Sequence, residues 1–235
     1  MHPYDRPRKS ESAPAHIAPP DPVSPALIEL TEASVTAADA VLLPATSARV
    51  PSGQVVVVRG SNGAGKTTLL RVLAGRIAPT TGSARIAERA IDERDPAFRR
   101  RVAAMIGLPP MAPDLTVQEH LALVAATWYS SATQARRAEQ STLAAFELEP
   151  LATRFPGELS SGQTQLLGLA MVFVRPFDVL LLDEPEQRLD PHRVSLVATE
   201  ILARKQSGAT IIVATHSETL ASLIADQTLH LGGAL

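Results

Sequence analysis

From Val55 to Arg59 the chain sets four β-branched apolar residues side by side, with Gly53 and Gly60 on either flank. A run without polar alternation suits a strand covered on both faces, as in a parallel sheet packed under helices. Apolar runs recur at Val102–Ile106, which Gly107 and the Pro109-Pro110 pair close, and again at Asp178–Leu182 and Thr210–Ala214, while Gln227–Leu231 reads as a last strand. Between these runs the spacing of apolar residues turns helical. It predicts helices over about Gly65–Gly75, Ser161–Val174, Pro191–Gln206 and Glu218–Ala225. A mostly helical stretch runs from Thr116 to about Glu147, broken near Ser130-Ser131. Strand–helix–strand at these spacings predicts an α/β fold with a mainly parallel sheet covered by helices.

Residues 1–25 depart from this pattern. Seven of the 19 prolines fall there, with almost no apolar periodicity, so they read as a disordered tail before a folded domain over 26–235. The longest apolar stretch, Leu166–Val174, is nine residues, far short of the roughly 20 a bilayer-spanning helix needs. With 235 residues, 45% of them hydrophobic and 20% charged, the chain is long and apolar enough for a sizeable core. The net charge of -2 argues against general nucleic-acid binding. The absence of cysteine removes disulfides, thiolate nucleophiles and thiolate metal ligands, and fits a reducing compartment.

The first chemical signal is Gly60-Ser61-Asn62-Gly63-Ala64-Gly65-Lys66-Thr67, which satisfies G-x-x-x-x-G-K-[ST] between a predicted strand and a predicted helix. The glycines let successive N–H groups turn inward toward an anion, and the following helix adds the positive end of its dipole. Lys66 brings a mobile positive charge to the β- and γ-phosphates, Thr67 a hydroxyl for Mg²⁺, and Thr68 a hydroxyl near the α-phosphate. The apolar strand Val179-Leu180-Leu181-Leu182 ends in Asp183-Glu184. Such a strand delivers its last residues to the carboxyl edge of the sheet, where ligands bind in open α/β folds. Asp183 is placed to hold Mg²⁺, and Glu184 to orient or deprotonate an attacking water. His216 follows another strand, where an imidazole can touch a γ-phosphate or else pack at the strand end and cap the next helix beside Ser217.

A further string, Leu159-Ser160-Ser161-Gly162-Gln163, completes an ordered set with the phosphate loop, Asp183-Glu184-Pro185, Leu189-Asp190 and His216. Over about Ile28–Leu231 this set resembles the ATPase subunit of an ATP-binding cassette (ABC) transporter, whose signature reads L-S-G-G-Q. The resemblance implies a P-loop NTPase fold with an antiparallel β portion and a helical subdomain at about 111–157. It implies ATP and Mg²⁺ as ligands and hydrolysis of ATP, with Lys66, Glu184 and His216 catalytic. Thr67 and Asp183 would hold the metal. Ser160, Ser161, Gly162, Gln163 and Asp190 would meet the nucleotide on a second ATPase subunit, identical or not. The partner it implies is an integral membrane transporter subunit, with this chain peripheral on the cytoplasmic face. Export is favoured because no substrate-binding or regulatory domain follows Leu235.

The chain departs from the family pattern in four respects. Met111 stands where a glutamine usually meets Mg²⁺ and water, and a thioether is a poor ligand for that ion. No aromatic residue lies between Tyr4 and Phe98, so aliphatic residues around Val35–Ala37 would have to carry the adenine. Ser161 replaces a glycine, and Leu166 and Met171 stand where arginines are common. Two other readings therefore remain: a soluble ABC ATPase of an assembly or repair complex, and a degenerate ATP-binding subunit with little hydrolysis. Trp128 and Tyr129 are expected to pack in the core, and Arg99-Arg100-Arg101 to form a solvated face.

Overall fold

The structure, a computed structural model, describes residues 26–38 and 40–232; the tail expected over 1–25 lies outside the described residues. In chain order the elements are β1 (Ala26–Ala37), β2 (Ala40–Pro51), β3 (Val55–Arg59), α1 (Lys66–Leu73), β4 (Thr81–Ile86), β5 (Arg89–Ala90), α2 (Pro96–Arg101) and β6 (Val102–Met105). There follow α3 (Val117–Trp128), α4 (Ala132–Ala145), α5 (Ser161–Phe173), β7 (Val179–Asp183), α6 (Pro191–Gln206), β8 (Thr210–Ala214), α7 (Glu218–Ile224) and β9 (Gln227–His230). The four apolar runs and the segment at Gln227–His230 form strands, and they pair in parallel in the order β6-β7-β8-β3-β9. A second, antiparallel sheet runs β2-β1-β4-β5.

Side chains alternate across the pleat, so each buried strand feeds two cores at once. Val55, Val57, Leu180, Leu182, Ile211 and Val213 pack with α3, α4, α5, α6 and α7 on one face. Val56, Val58, Val179, Leu181, Ile212 and Ala214 pack with α1 and the antiparallel sheet on the other. The fully apolar strand therefore has a direct cause: neither face meets water. On the helical side Phe173 of α5 meets Phe146 edge-on at 5.2 Å and Phe177 at 6.1 Å, tying α5 to the lobe made by α3 and α4.

The helices start where capping chemistry allows. Thr116 and Glu119 form a reciprocal capping box at α3, Ser160 and Gln163 another at α5, and Asp95 caps α2 ahead of Pro96. Hydrophobic periodicity does not delimit the long strands β1 and β2. Their ladder shifts register at several points, and each irregularity breaks the period of two that marks a strand.

The packing makes a direct prediction. Phe173 is fully buried at the junction of α5 with the lobe, so Phe173→Ala is expected to destabilise the fold by about 3–5 kcal/mol. Chemical denaturation followed by circular dichroism measures it, and a loss under 1 kcal/mol would contradict the packing described.

Candidate active site

The site begins with strand register. In the central ladder Asp183 of β7 pairs with Ala214 of β8, and Ala214 pairs with Val58 of β3. These three strands therefore end level with one another at the carboxyl edge. The residues that come next, Glu184, Thr215-His216 and Arg59-Gly60, are forced into one place. A cleft of about 440 Å³ opens there, lined by Val41, Leu42, Asn62, Gly63, Gly65, Lys66, Thr67, Thr68, Asp183, Glu184 and His216.

Gly65 sits at the N-terminus of α1 with φ of 99°, in the left-handed region. A Cβ there would lie 2.8 Å from the Leu42 carbonyl oxygen, so β2 closes over the loop only because this residue is glycine. Lys66 is buried, and its ammonium donates to the carbonyls of Gly60 at 2.9 Å and Ser61 at 3.2 Å. Its third neighbour is Nε2 of His216, at 2.9 Å. Ala64 turns back with its N–H on Ser61 and rests against the apolar core.

Thr67 Oγ1 donates to Asp183 Oδ2 at 2.8 Å. A hydroxyl and a carboxylate side by side at the cleft are hard oxygen donors, the set that suits Mg²⁺. Glu184 adopts φ of 49°, a costly conformation for a residue with a Cβ. Its Oε1 lies 3.5 Å from His216 Nε2. Burial pushes the Glu184 carboxyl above the ordinary range, and the negative charges of Glu186 and Asp183 add to that, against the opposing pull of His216 and Lys66. Glu186 accepts from Thr215 Oγ1, which in turn accepts from the Ser217 N–H, so the acidic turn is tied to the turn bearing His216.

The signature segment and Asp190 stand apart from this cleft. Ser160 Oγ accepts from the Gln163 N–H at 3.3 Å, and Gln163 Oε1 accepts from the Ser160 N–H at 2.8 Å. Ser161 is exposed in the first turn, so its Cβ is accommodated. Gly162 is buried, and a Cβ there would lie 2.8 Å from the Arg188 carbonyl oxygen. Asp190 caps α6 through the Arg193 N–H, the contact that holds its carboxyl below the ordinary range.

The departures resolve individually. Met111 is half-buried and packs against the main core, outside the residues that line the cleft. Gln118, the nearest other glutamine, donates to Glu139 of α4 at 2.7 Å and joins α3 to α4. Val35, in β1, is buried in the core on the inner side of the antiparallel sheet. The aliphatic residues that line the cleft are Val41 and Leu42, which sequence spacing did not single out. Trp128 is covered by the Arg175 guanidinium at 3.5 Å from its ring centre, while Tyr129 packs on the core. Of the three adjacent arginines, Arg101 pairs with Asp178 at 3.0 Å and Arg99 donates to backbone carbonyls of residues 93 and 94.

A parallel sheet whose carboxyl edge joins a glycine-rich loop, a lysine, a hydroxyl–carboxylate pair and a second acid defines a P-loop ATPase. Comparison with known proteins narrows the class. Residues 43–187 match the ABC transporter family, and the chain belongs to that family, with an ABC-type ATPase domain. The "Nod factor export ATP-binding protein I" of Paraburkholderia xenovorans (strain LB400) is 34% identical over 81% of this chain and 63% of its own length. The "Sulfoquinovosyl glycerol transport ATP-binding protein SmoE" of Agrobacterium fabrum is 34% identical over 78% of this chain and 51% of its own. This chain spans 63%, 61% and 62% of the length of three Nod factor export relatives. Among solved structures, an ATP-binding subunit of an ABC transporter superposes with a TM-score of 0.78 at 28% identity, over 87% of this chain and 85% of that one. A dimeric, post-hydrolysis cassette bound to ADP and phosphate has the same fold, with a TM-score of 0.77 at 22% identity over 87% and 94% of the two chains. Among the described residues no helix is long and apolar enough to cross a membrane.

The close approach at Gly65 supplies a test of the cleft. Gly65→Ala adds a Cβ against the Leu42 carbonyl at an unfavourable φ, and is expected to weaken nucleotide binding about tenfold or more. Titration with a fluorescent ATP analogue measures this, and unchanged affinity would contradict the described loop.

Proposed function

We propose that this chain hydrolyses ATP to drive a separate membrane-spanning partner, and that it does so as a pair of ATPase subunits closed around two nucleotides. The observation that carries the reading is the meeting of Lys66, His216 and Glu184 beside the Thr67–Asp183 pair at one sheet edge. Export is the favoured direction, supported by the names of the Nod factor export relatives. Under this reading the chain sits on the cytoplasmic face of the membrane. The lobe at about 111–157, built around α3 and α4, faces the partner.

Each residue has a task that follows from its position. The backbone N–H groups from Gly60 to Thr68 and the N-terminus of α1 bind the phosphates. Lys66 exchanges its present neighbours, His216 Nε2 among them, for phosphate oxygens, and that exchange frees Nε2 to carry a proton toward the γ-phosphate. Thr67 and Asp183 would hold Mg²⁺, which when bound offsets the charge on the β- and γ-phosphate oxygens. Glu184 accepts the proton of the attacking water, and a carboxylate with a raised pKa is the better acceptor. The segment Ser160–Gln163 presents a helix N-terminus and a hydroxyl away from this cleft, where they serve the nucleotide of the second subunit. Asp190 belongs to the same subunit contact. Retained Glu184 and His216 support hydrolysis over a degenerate role, and the transport relatives support a transporter over a soluble assembly factor.

Steady-state Mg-ATPase assays test this assignment. Glu184→Gln is expected to lower kcat at least about 100-fold while keeping ATP affinity and accumulating an ATP-bound dimer visible by size exclusion. Lys66→Ala is expected to weaken ATP binding about 10- to 100-fold. A Glu184→Gln chain that turns over at the parent rate would remove Glu184 from the mechanism. The raised Glu184 carboxyl also sets the pH response: the base works only when ionised, so kcat falls as pH falls. The midpoint of that acid limb is expected above the ordinary carboxylate range, and a midpoint at or below that range would contradict the assignment.

A further inference from the structure

Gln165 is a polar side chain with 2% exposure in the interior of α5. Its amide Nε2 donates to two backbone carbonyls, those of Glu184 at 3.3 Å and Pro185 at 3.1 Å. Three positions earlier on the same helix face, Gly162 approaches the Arg188 carbonyl so closely that a Cβ would lie 2.8 Å away. The turn between these contacts is unusual. Glu184 and Arg188, near its two ends, both adopt positive φ, at 49° and 66°, although neither is glycine. Such conformations persist only where the surroundings over-determine them. Pro185 has no N–H to offer, so its peptide unit is held at the carbonyl, where Gln165 donates.

We propose that Gln165 is a positioning residue for Glu184: its side-chain amide, held inside α5, fixes the strained turn whose first residue aims the catalytic carboxylate into the cleft. The inference rests on the reading of Glu184 as proton acceptor. Gln165 itself touches only the backbone of the turn. The Glu184 N–H is already committed to the Ala214 carbonyl at 2.8 Å, and the Gln187 N–H to the Glu184 carbonyl at 3.1 Å. Gln165 adds a side-chain clamp from α5 on this peptide unit, and α5 is also the helix that opens with Ser160–Gln163.

The test uses the full chain with Gln165→Met, which keeps side-chain length and removes the donors, and Gln165→Asn, which keeps the donors but loses one methylene of reach. For both, kcat is expected to fall about 10- to 100-fold, the cost of misplacing a reacting group by about 1 Å. Affinity for a fluorescent ATP analogue is expected to stay within about twofold, because the phosphate loop is untouched. Adding Gln165→Met to Glu184→Gln is expected to leave the residual rate unchanged, since both act through one carboxylate. Backbone hydrogen exchange in residues 184–189 is expected to quicken. A kcat within about twofold of the parent overturns the proposal. So does a loss of kcat matched by an equal loss of affinity, or unchanged exchange in the turn. If Gln165→Met does not fold, Gln165→Asn decides. If the parent shows no Lys66-dependent hydrolysis, the reading of the site fails separately, and exchange in residues 184–189 still decides whether Gln165 holds the turn.

Discussion

The structure depends on one constraint, the level ending of β7, β8 and β3. Three parallel strands with both faces buried are locked in register by their ladders and by the two cores on either side. A slip of one residue would exchange the side chains of the two faces and cannot be accommodated at native packing density. Because the register is fixed, the chain must leave the sheet at Asp183, Ala214 and Arg59 within one small region. The phosphate loop, the acids and the histidine are neighbours for that reason, although about 150 residues separate Lys66 from His216.

A second consequence follows at the turn after β7. The strand cannot continue past Asp183, and the chain reverses through two positive-φ residues, which is unfavourable in isolation. The turn is held from both sides. Glu186 reaches Thr215 at the end of β8, and α5 presses against the other side through Gln165 and Gly162. Strain at Glu184 is thus offset by contacts from two separate elements.

The departures from the family pattern find a physical place in the fold. Met111 joins the main core, so the loop that carries it is anchored by packing rather than by a polar contact in the cleft. The same loop is held by His120, whose Nε2 accepts from the Ala112 N–H at 3.0 Å. Val41 and Leu42 give the cleft an aliphatic wall in place of an aromatic one. Ser161 faces solvent at the head of α5, whereas Gly162 has no room for a side chain. Of the two central positions in the signature, the one that tolerates change is therefore the one that was changed.

Much was written in the sequence where local pattern and chemistry coincide. The unbroken runs at Val55–Arg59 and Val179–Leu182 announced buried parallel strands, and the glycine–lysine–threonine spacing announced a phosphate loop. Both signals are local, set by side chains within about eight residues of each other. Other features needed the folded chain. The bulged pairing of β1 with β2 hides the strand period. The aliphatic wall of Val41 and Leu42 exists only because β2 crosses above Gly65. The burial that raises the Glu184 carboxyl and the clamp from Gln165 are contacts between distant segments. Local spacing carries the type of each element and the chemistry of each group, because those depend on neighbours along the chain. Which groups meet, and with what shifted ionisation, depends on neighbours in space, and only tertiary packing sets those.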